Sequence, residues 1–251
     1  LYDAGDQPHT FYNLFSDTAS YFLTYKLGSG NGKRMAFSSD KNATGLSAEP
    51  YHIADSIQVF TSNYASGVKF GSGSSFSLSK YDDGEGWTGG FQSKNVLKDF
   101  NFNLENYESS GVNPVLETVF IGGNSLFHNV EVSIGPNTSS LGVMDNVEWD
   151  GWGKEFFSGS VASSSIGAGG EFVVRVTPIG ESGVAERISV AYMQLKYPQT
   201  IQMTANENKV FTLLDPSSAK AWLQIGTTNA SGTRIFEVSD PYNATRLATT
   251  N

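Results

Sequence analysis

The chain has 251 residues, with 25 acidic side chains against 16 lysines and arginines, a net charge of −9 and no cysteine. An acidic surface excludes a nucleic-acid partner, which needs a basic face over its phosphates. Missing cysteine excludes disulfides, a thiolate nucleophile and any cysteine-based zinc site within these residues.

Charged residues make up only 16%, while 27 glycines and 13% aromatics break up Ser-, Thr- and Asn-rich stretches, as in an exported all-β protein. No apolar run reaches the roughly 18 residues of a membrane span. The first residue is Leu1 and not an initiator methionine, so the chain is expected to be a processed or excised piece.

Period-two patterns recur along the chain. After one short turn in QPHTFYNLFSDTASYF, YFLTYK (21–26) reads as a strand and KRMAF (33–37) as its hairpin partner. SIQVF (56–60) and SFSLSKY (75–81) follow. In VLKDFNFNL (96–104), Phe100, Phe102 and Leu104 share one face and Asp99, Asn101 and Asn103 the other, a half-buried strand. PVLETVFIGG (114–123) is apolar on both faces and predicts a central strand.

HNVEVSIG (128–135), FFSGSV (156–161), EFVVRVTPI (171–179) and RISVAYMQLKY (187–197) continue the series, and TIQMT, KVFTLL, AWLQIG and RIFEVSD end it. The Gly/Ser tracts 71–77 and 159–170 read as hairpin loops. About a dozen strands predict an all-β fold, a β-sandwich or jelly roll over residues 1–199. After a change of pattern near YPQT, residues 200–251 either complete it or form a small second β subdomain.

Two clusters could carry chemistry. YDDGEGWTGG (81–90) offers Asp82, Asp83 and Glu85 as oxygen ligands, which makes Ca2+ the one cofactor worth weighing. The EF-hand spacing is not met, and the same residues suit a polar reversal with Gly84 and Gly86 at positive φ, which is the favoured reading. MDNVEWDGWGKEFF (144–157) places Trp149 and Trp152 around Asp150. Together with Trp87, these tryptophans could stack on sugar rings or could cover sheet edges, and packing is the commoner use.

The pairs Glu148/Asp150 and Asp82/Glu85 could form a glycosidase dyad only at a separation that sequence does not supply. His9, His52 and His128 are isolated, and no zinc, serine-hydrolase or phosphate-loop motif is present. No catalytic residue is assigned, and the chain itself reads as a non-enzyme. Asn42, Asn137, Asn229 and Asn243 stand in Asn-X-Ser/Thr turns.

YFLTYKLGSGNGKRM (21–35), YDDGEGWTGG, ETVFIGGNSLFHNVEVSIG (117–135), ISVAYMQLKYPQTI (188–201) and RIFEVSDPYNATRL (234–247) occur in an order that resembles one family. It is the β-rich region preceding the catalytic domain in gingipain-like cysteine peptidases of the Bacteroidetes, especially those similar to the type IX secretion sortase. The chain departs from the family pattern at Thr88, where the family has Phe, and near Ala244, where it has Pro.

The resemblance implies export to the outer-membrane surface, periplasm or medium, and a separate domain carrying a His–Cys dyad. It also implies short O-glycosylation patterns, matched at Asp17-Thr18-Ala19 and Asp55-Ser56-Ile57. The expected function is non-catalytic: to support, orient or keep latent that peptidase domain, and to dock it to surface partners. Asp240-Pro241 would give a rigid exit from the last strand toward it. The alternative is a stand-alone adhesin or carbohydrate-binding module, whose partner would be a surface protein or glycan.

Overall fold

The structure is a computed structural model that describes residues 35–70, 76–77, 82–181, 183, 185–204, 207–214, 220–227, 232–240 and 242–249. Strand pairing runs throughout these residues: β1 (Ala36–Ser38), β2 (His52–Val59), β3 (Asn63–Ala65), β4 (Lys69–Phe70), β5 (Phe76–Ser77), β6 (Gly86–Thr88), β7 (Gln92–Ser93), β8 (Lys98–Asn103) and β9 (Val115–Gly122). Then come β10 (Phe127–Gly135), β11 (Gly142–Asp150), β12 (Lys154–Ser160), β13 (Glu171–Pro178), β14 (Arg187–Gln199), β15 (Gln202–Met203), β16 (Gly226–Thr227), β17 (Ile235–Glu237) and β18 (Thr245–Leu247). Among the described residues no helix is long and apolar enough to cross a membrane.

Two compact units emerge. In the first, within Ile53–Gln199, one sheet has the order β11-β10-β13-β8 and the other β12-β9-β14-β2, with β7 also on β14. The pairs are nested about the β10–β11 hairpin: β10 with β11, β9 with β12, β8 with β13, β2 with β14. A long hairpin rolled up in this way is an eight-stranded jelly roll. The expected central strand at 114–123 lies between β12 and β14. Its outward side chains Val119 and Ile121 are as buried as its inward Leu116 and Phe120, which explains an apolar run on both faces.

Alternation aims Phe100 and Phe102, Val130, Val132 and Ile134, Phe172, Val174 and Val176 into the core from one sheet. Leu116, Phe120, Ile188, Met193 and Leu195 meet them from the other. Each such side chain contributes about 1.5–3 kcal/mol by leaving water. In β14 the register on β9 shifts between Val190 and Tyr192. The freed carbonyls there stay satisfied, because Gly89 N–H donates to Val190 at 2.8 Å and Phe60 N–H to Ala191 at 3.0 Å.

One connection differs from expectation. The tract 159–170 holds a short 3-10 turn at Ser163–Ser165 and links strands of opposite sheets, so it is a crossover and not a hairpin loop. Gly and Ser serve either connection equally well. β1 pairs in parallel with β18, and the expected hairpin partner at 21–26 lies outside the described residues.

The second unit groups residues 35–52 with the segment from Thr200 onward, so the segment after 199 is joined there by an earlier stretch of chain. It contains the three-stranded sheet β1-β18-β17 and the parallel pair β15-β16. An isolated bridge joins Ala48 and Trp222.

Candidate functional site

The acidic and tryptophan clusters meet beside the β3–β6 pair. Ala65 and Gly86 are partners in that pair, and Ala65 is buried with Val119, Ile121, Ala191 and Tyr192 on the outer side of β9 and β14. Alternation therefore turns the next pair, Tyr64 and Trp87, outward. Their rings lie edge to face with centroids 5.4 Å apart, and Tyr64 is 38% exposed. The Tyr64 hydroxyl donates to Glu85 Oε1 at 2.7 Å. Partial burial, and then the Glu85 carboxylate, push the Tyr64 phenol well above its usual range.

Residues 82–85 form a tight reversal closed by Glu85 N–H donating to the Asp82 carbonyl at 3.0 Å, with Gly84 at φ +73°. The other Glu85 oxygen accepts the Asp82 N–H at 3.1 Å, and Asp82 Oδ1 accepts the Asp83 N–H at 2.9 Å. Asp83 reaches outward instead: Lys154 Nζ lies 3.4 Å from Oδ1, and the Lys154 N–H donates to Oδ2 at 3.4 Å.

Two glycines permit this approach. A Cβ at Gly84 would lie 2.9 Å from the Trp152 carbonyl, and one at Gly153 would lie 2.8 Å from Asp83 Oδ2. The reversal at 82–85 and the β11–β12 turn are thus clasped together by backbone contact and one ion pair.

The three tryptophans do not share a surface. Trp149, expected as a candidate sugar platform, is only 8% exposed and belongs to the core. It stacks on Phe120 at 6.0 Å with a 21° interplanar angle and lies 4.8 Å from the His128 ring. The reason is its register: Val147 and Trp149 take the inner side of β11, while Glu148 and Asp150 take the wet side. Trp152 is half-buried and carries Lys69 Nζ 5.6 Å above its ring. Trp87 has the Tyr64 edge against it.

Nor do the acids converge. Asp82, Asp83 and Glu85 direct their oxygens to different partners, and among the described residues no group of three His, Cys, Asp or Glu could hold a metal ion. Calcium takes six to eight oxygens converging on one point. One Asp82 oxygen is buried without a hydrogen-bond partner.

His128 is fully buried, with Nδ1 on the Glu186 carboxylate and Nε2 donating to the Gly151 carbonyl at 3.0 Å. Glu186 also accepts the Arg187 N–H at 3.0 Å. This network ties the start of β10 to the β11–β12 turn and the start of β14. The isolated histidine is a structural tie, satisfied on both ring nitrogens.

Asp240 is exposed and builds the loop between β17 and β18. It accepts the Tyr242 N–H at 2.9 Å through Oδ1 and bonds the Asn243 amide through Oδ2. It therefore lies in a hairpin and not at an exit from the last strand, and Pro241 falls outside the described residues. Tyr64 and Lys154, which complete the clasp, carry no motif. Only strand pairing and the turn geometry bring them to Trp87 and Asp83.

No family model and no curated protein matches the chain. Among solved structures, the chain is similar to dimeric latent PorU from Porphyromonas gingivalis at 12% identity and a TM-score of 0.46, over 68% of this chain and 15% of that one. It is also similar to the carbohydrate-binding module CBM36 in complex with calcium and xylotriose, at 11% identity and a TM-score of 0.29, over 53% of this chain and 97% of that one. A third similarity is to the CBM36-1 domain of a multidomain xylanase from the hindgut metagenome of Trinervitermes trinervoides, at 10% identity and a TM-score of 0.31, over 57% and 96%. The chain thus spans less than a sixth of the PorU chain, and at these values the jelly roll rests on its own strand order.

Proposed function

We propose that this chain is a non-catalytic β region of an exported, gingipain-like protein resembling the type IX sortase, where it supports and orients an adjacent peptidase domain. The observation that supports this most is the clasp. Most of the acids and tryptophans in the two clusters have partners elsewhere in the fold. Glu85 is held by Tyr64 and the Asp82 amide, Asp83 by Lys154, and Trp149 by the core. Side chains used this way fix the shape of a β-sandwich and leave docking to other surfaces.

A second reading, a carbohydrate-binding module, draws on the exposed Tyr64 beside Trp87 and Glu85. Affinity electrophoresis of the chain through gels containing soluble glycans separates the two. The docking reading predicts unretarded migration across the panel. Retardation that disappears in Trp87→Ala would replace it with the binding-module reading.

A further inference from the structure

Along the chain, the jelly roll is an insertion into the second unit, which is built from a segment before it and a segment after it. Contacts stitch these two segments together along their length. Ala36 pairs with Thr245, Phe37 with Arg246 and Ser38 with Leu247, and the Ala248 N–H donates to the Ser38 carbonyl at 2.9 Å. The Arg246 guanidinium lies 6.0 Å from the Phe37 ring centre. Further along, the Lys220 ammonium is paired with the Asp40 carboxylate. Ala48 bridges to Trp222, and the Glu49 N–H donates to the Trp222 carbonyl at 2.8 Å. Last before the insertion, the His52 ring meets the Phe211 ring edge to face, with centroids 4.8 Å apart.

Direction matters as much as position. β1 and β18 run parallel, and so does the Ala48–Trp222 bridge. The chain enters β1 at its N-terminal end and leaves β18 at its C-terminal end. Tension along the chain therefore pulls the two strands past each other, and the evenly spaced bonds of a parallel pair are strained together. The jelly roll is held differently. Asp55 accepts from Gln194 Nε2 at 2.7 Å and the Phe60 N–H donates to Ala191 at 3.0 Å, so β2 and β14 run antiparallel. They are the first and last strands of that unit and lie side by side. Tension through Ile53 and Gln199 would peel them apart one bond at a time.

We propose that the second unit is a mechanical strap, which passes tension along the chain directly from β1 to β18 and keeps it off the jelly roll. While the strap holds, the chain between Ser38 and Thr245 is unloaded. Forced unfolding is governed by the rate of rupture, so the first barrier in the path of the load decides what yields. That barrier is sheared, whereas the strands behind it would be peeled. A pulled chain thus gives way first in the strap, and the jelly roll keeps its shape. The device serves docking and glycan binding alike and rests on neither.

The test is a force ramp on the full chain in optical tweezers. The chain has no cysteine, so handles attach only where one is introduced. Met35→Cys with Thr249→Cys pulls β1 and β18 in shear. Met35→Cys with Tyr242→Cys pulls both strands from their N-terminal ends and peels them. At about 0.36 nm per residue, freeing the second unit releases roughly 20 nm and unravelling the jelly roll roughly 50 nm. In shear, the shorter release should come first in every trace and the longer one only after it. The peeling pair should give the shorter release at lower force. Ser38→Pro removes the N–H of a residue whose carbonyl faces β18, and should lower the force of the shorter release in shear while leaving the longer one unchanged. A jelly-roll release that comes first, equal forces for the two handle pairs, or a shorter release untouched by Ser38→Pro overturns the assignment. The docking reading fails instead on glycan retardation or on the parent reading frame.

Discussion

At the residue scale, the clasp turns on Gly84. Its φ of +73° already disfavours a side chain, and an added Cβ meets the Trp152 backbone carbonyl, which cannot swing aside. Gly84→Ala should cost about 1–3 kcal/mol in urea unfolding. An unchanged midpoint would mean that the two turns are not held together as described. A second residue-scale effect is pH-dependent. Arg175 donates to both Asp99 oxygens at 2.6 and 2.8 Å, and this bonding holds the Asp99 carboxyl below the usual aspartate range. A carboxyl whose folded pKa is depressed contributes stability that is complete above its unfolded pKa, near pH 4, and is lost as pH falls through the folded value. Asp99→Asn should therefore lower the urea midpoint at neutral pH, and its deficit should close between about pH 5 and pH 2. A deficit constant across that window would assign the effect to something other than the ion pair.

At the element scale, β12 offers an internal comparison. Phe156 and Phe157 are neighbours, yet Phe156 is 54% exposed while Phe157 is buried in the core. Phe157→Ala should cost about 3–5 kcal/mol and Phe156→Ala less than about 1. Equal costs in chemical denaturation would place β12 in the wrong register. Most strands between 96 and 199 were legible because each is half-buried, so alternation in sequence maps directly onto inner and outer faces. The same logic contained the position of Trp149, since Val147 and Trp149 stand two apart, but the flanking acids suggested a surface cluster. Gly/Ser-rich 159–170 was not legible as a crossover, because turn composition does not encode which sheet the chain enters next. Asp240 was misjudged for a related reason: a strand as short as β18 leaves little periodicity, so β17 looked like the end of the chain's sheet structure.

At the scale of the whole molecule, the all-β class followed from composition and the jelly roll from nested pairing that only the structure displays. The parallel pairing of β1 with β18 joins residues about 200 positions apart, and no local pattern announces it. The clasp likewise joins stretches whose local composition suited a metal or a sugar. If those acids are structural, the thermal midpoint should be the same with and without EDTA, and a calcium-dependent rise in melting would restore the metal. The most direct measurement of the central claim is to sequence and translate the parent reading frame for the few hundred codons beyond Asn251. The account predicts a further domain containing a His and a Cys in a caspase-like context. A frame that stops there, or a domain without the Cys, would contradict a supporting role for a peptidase.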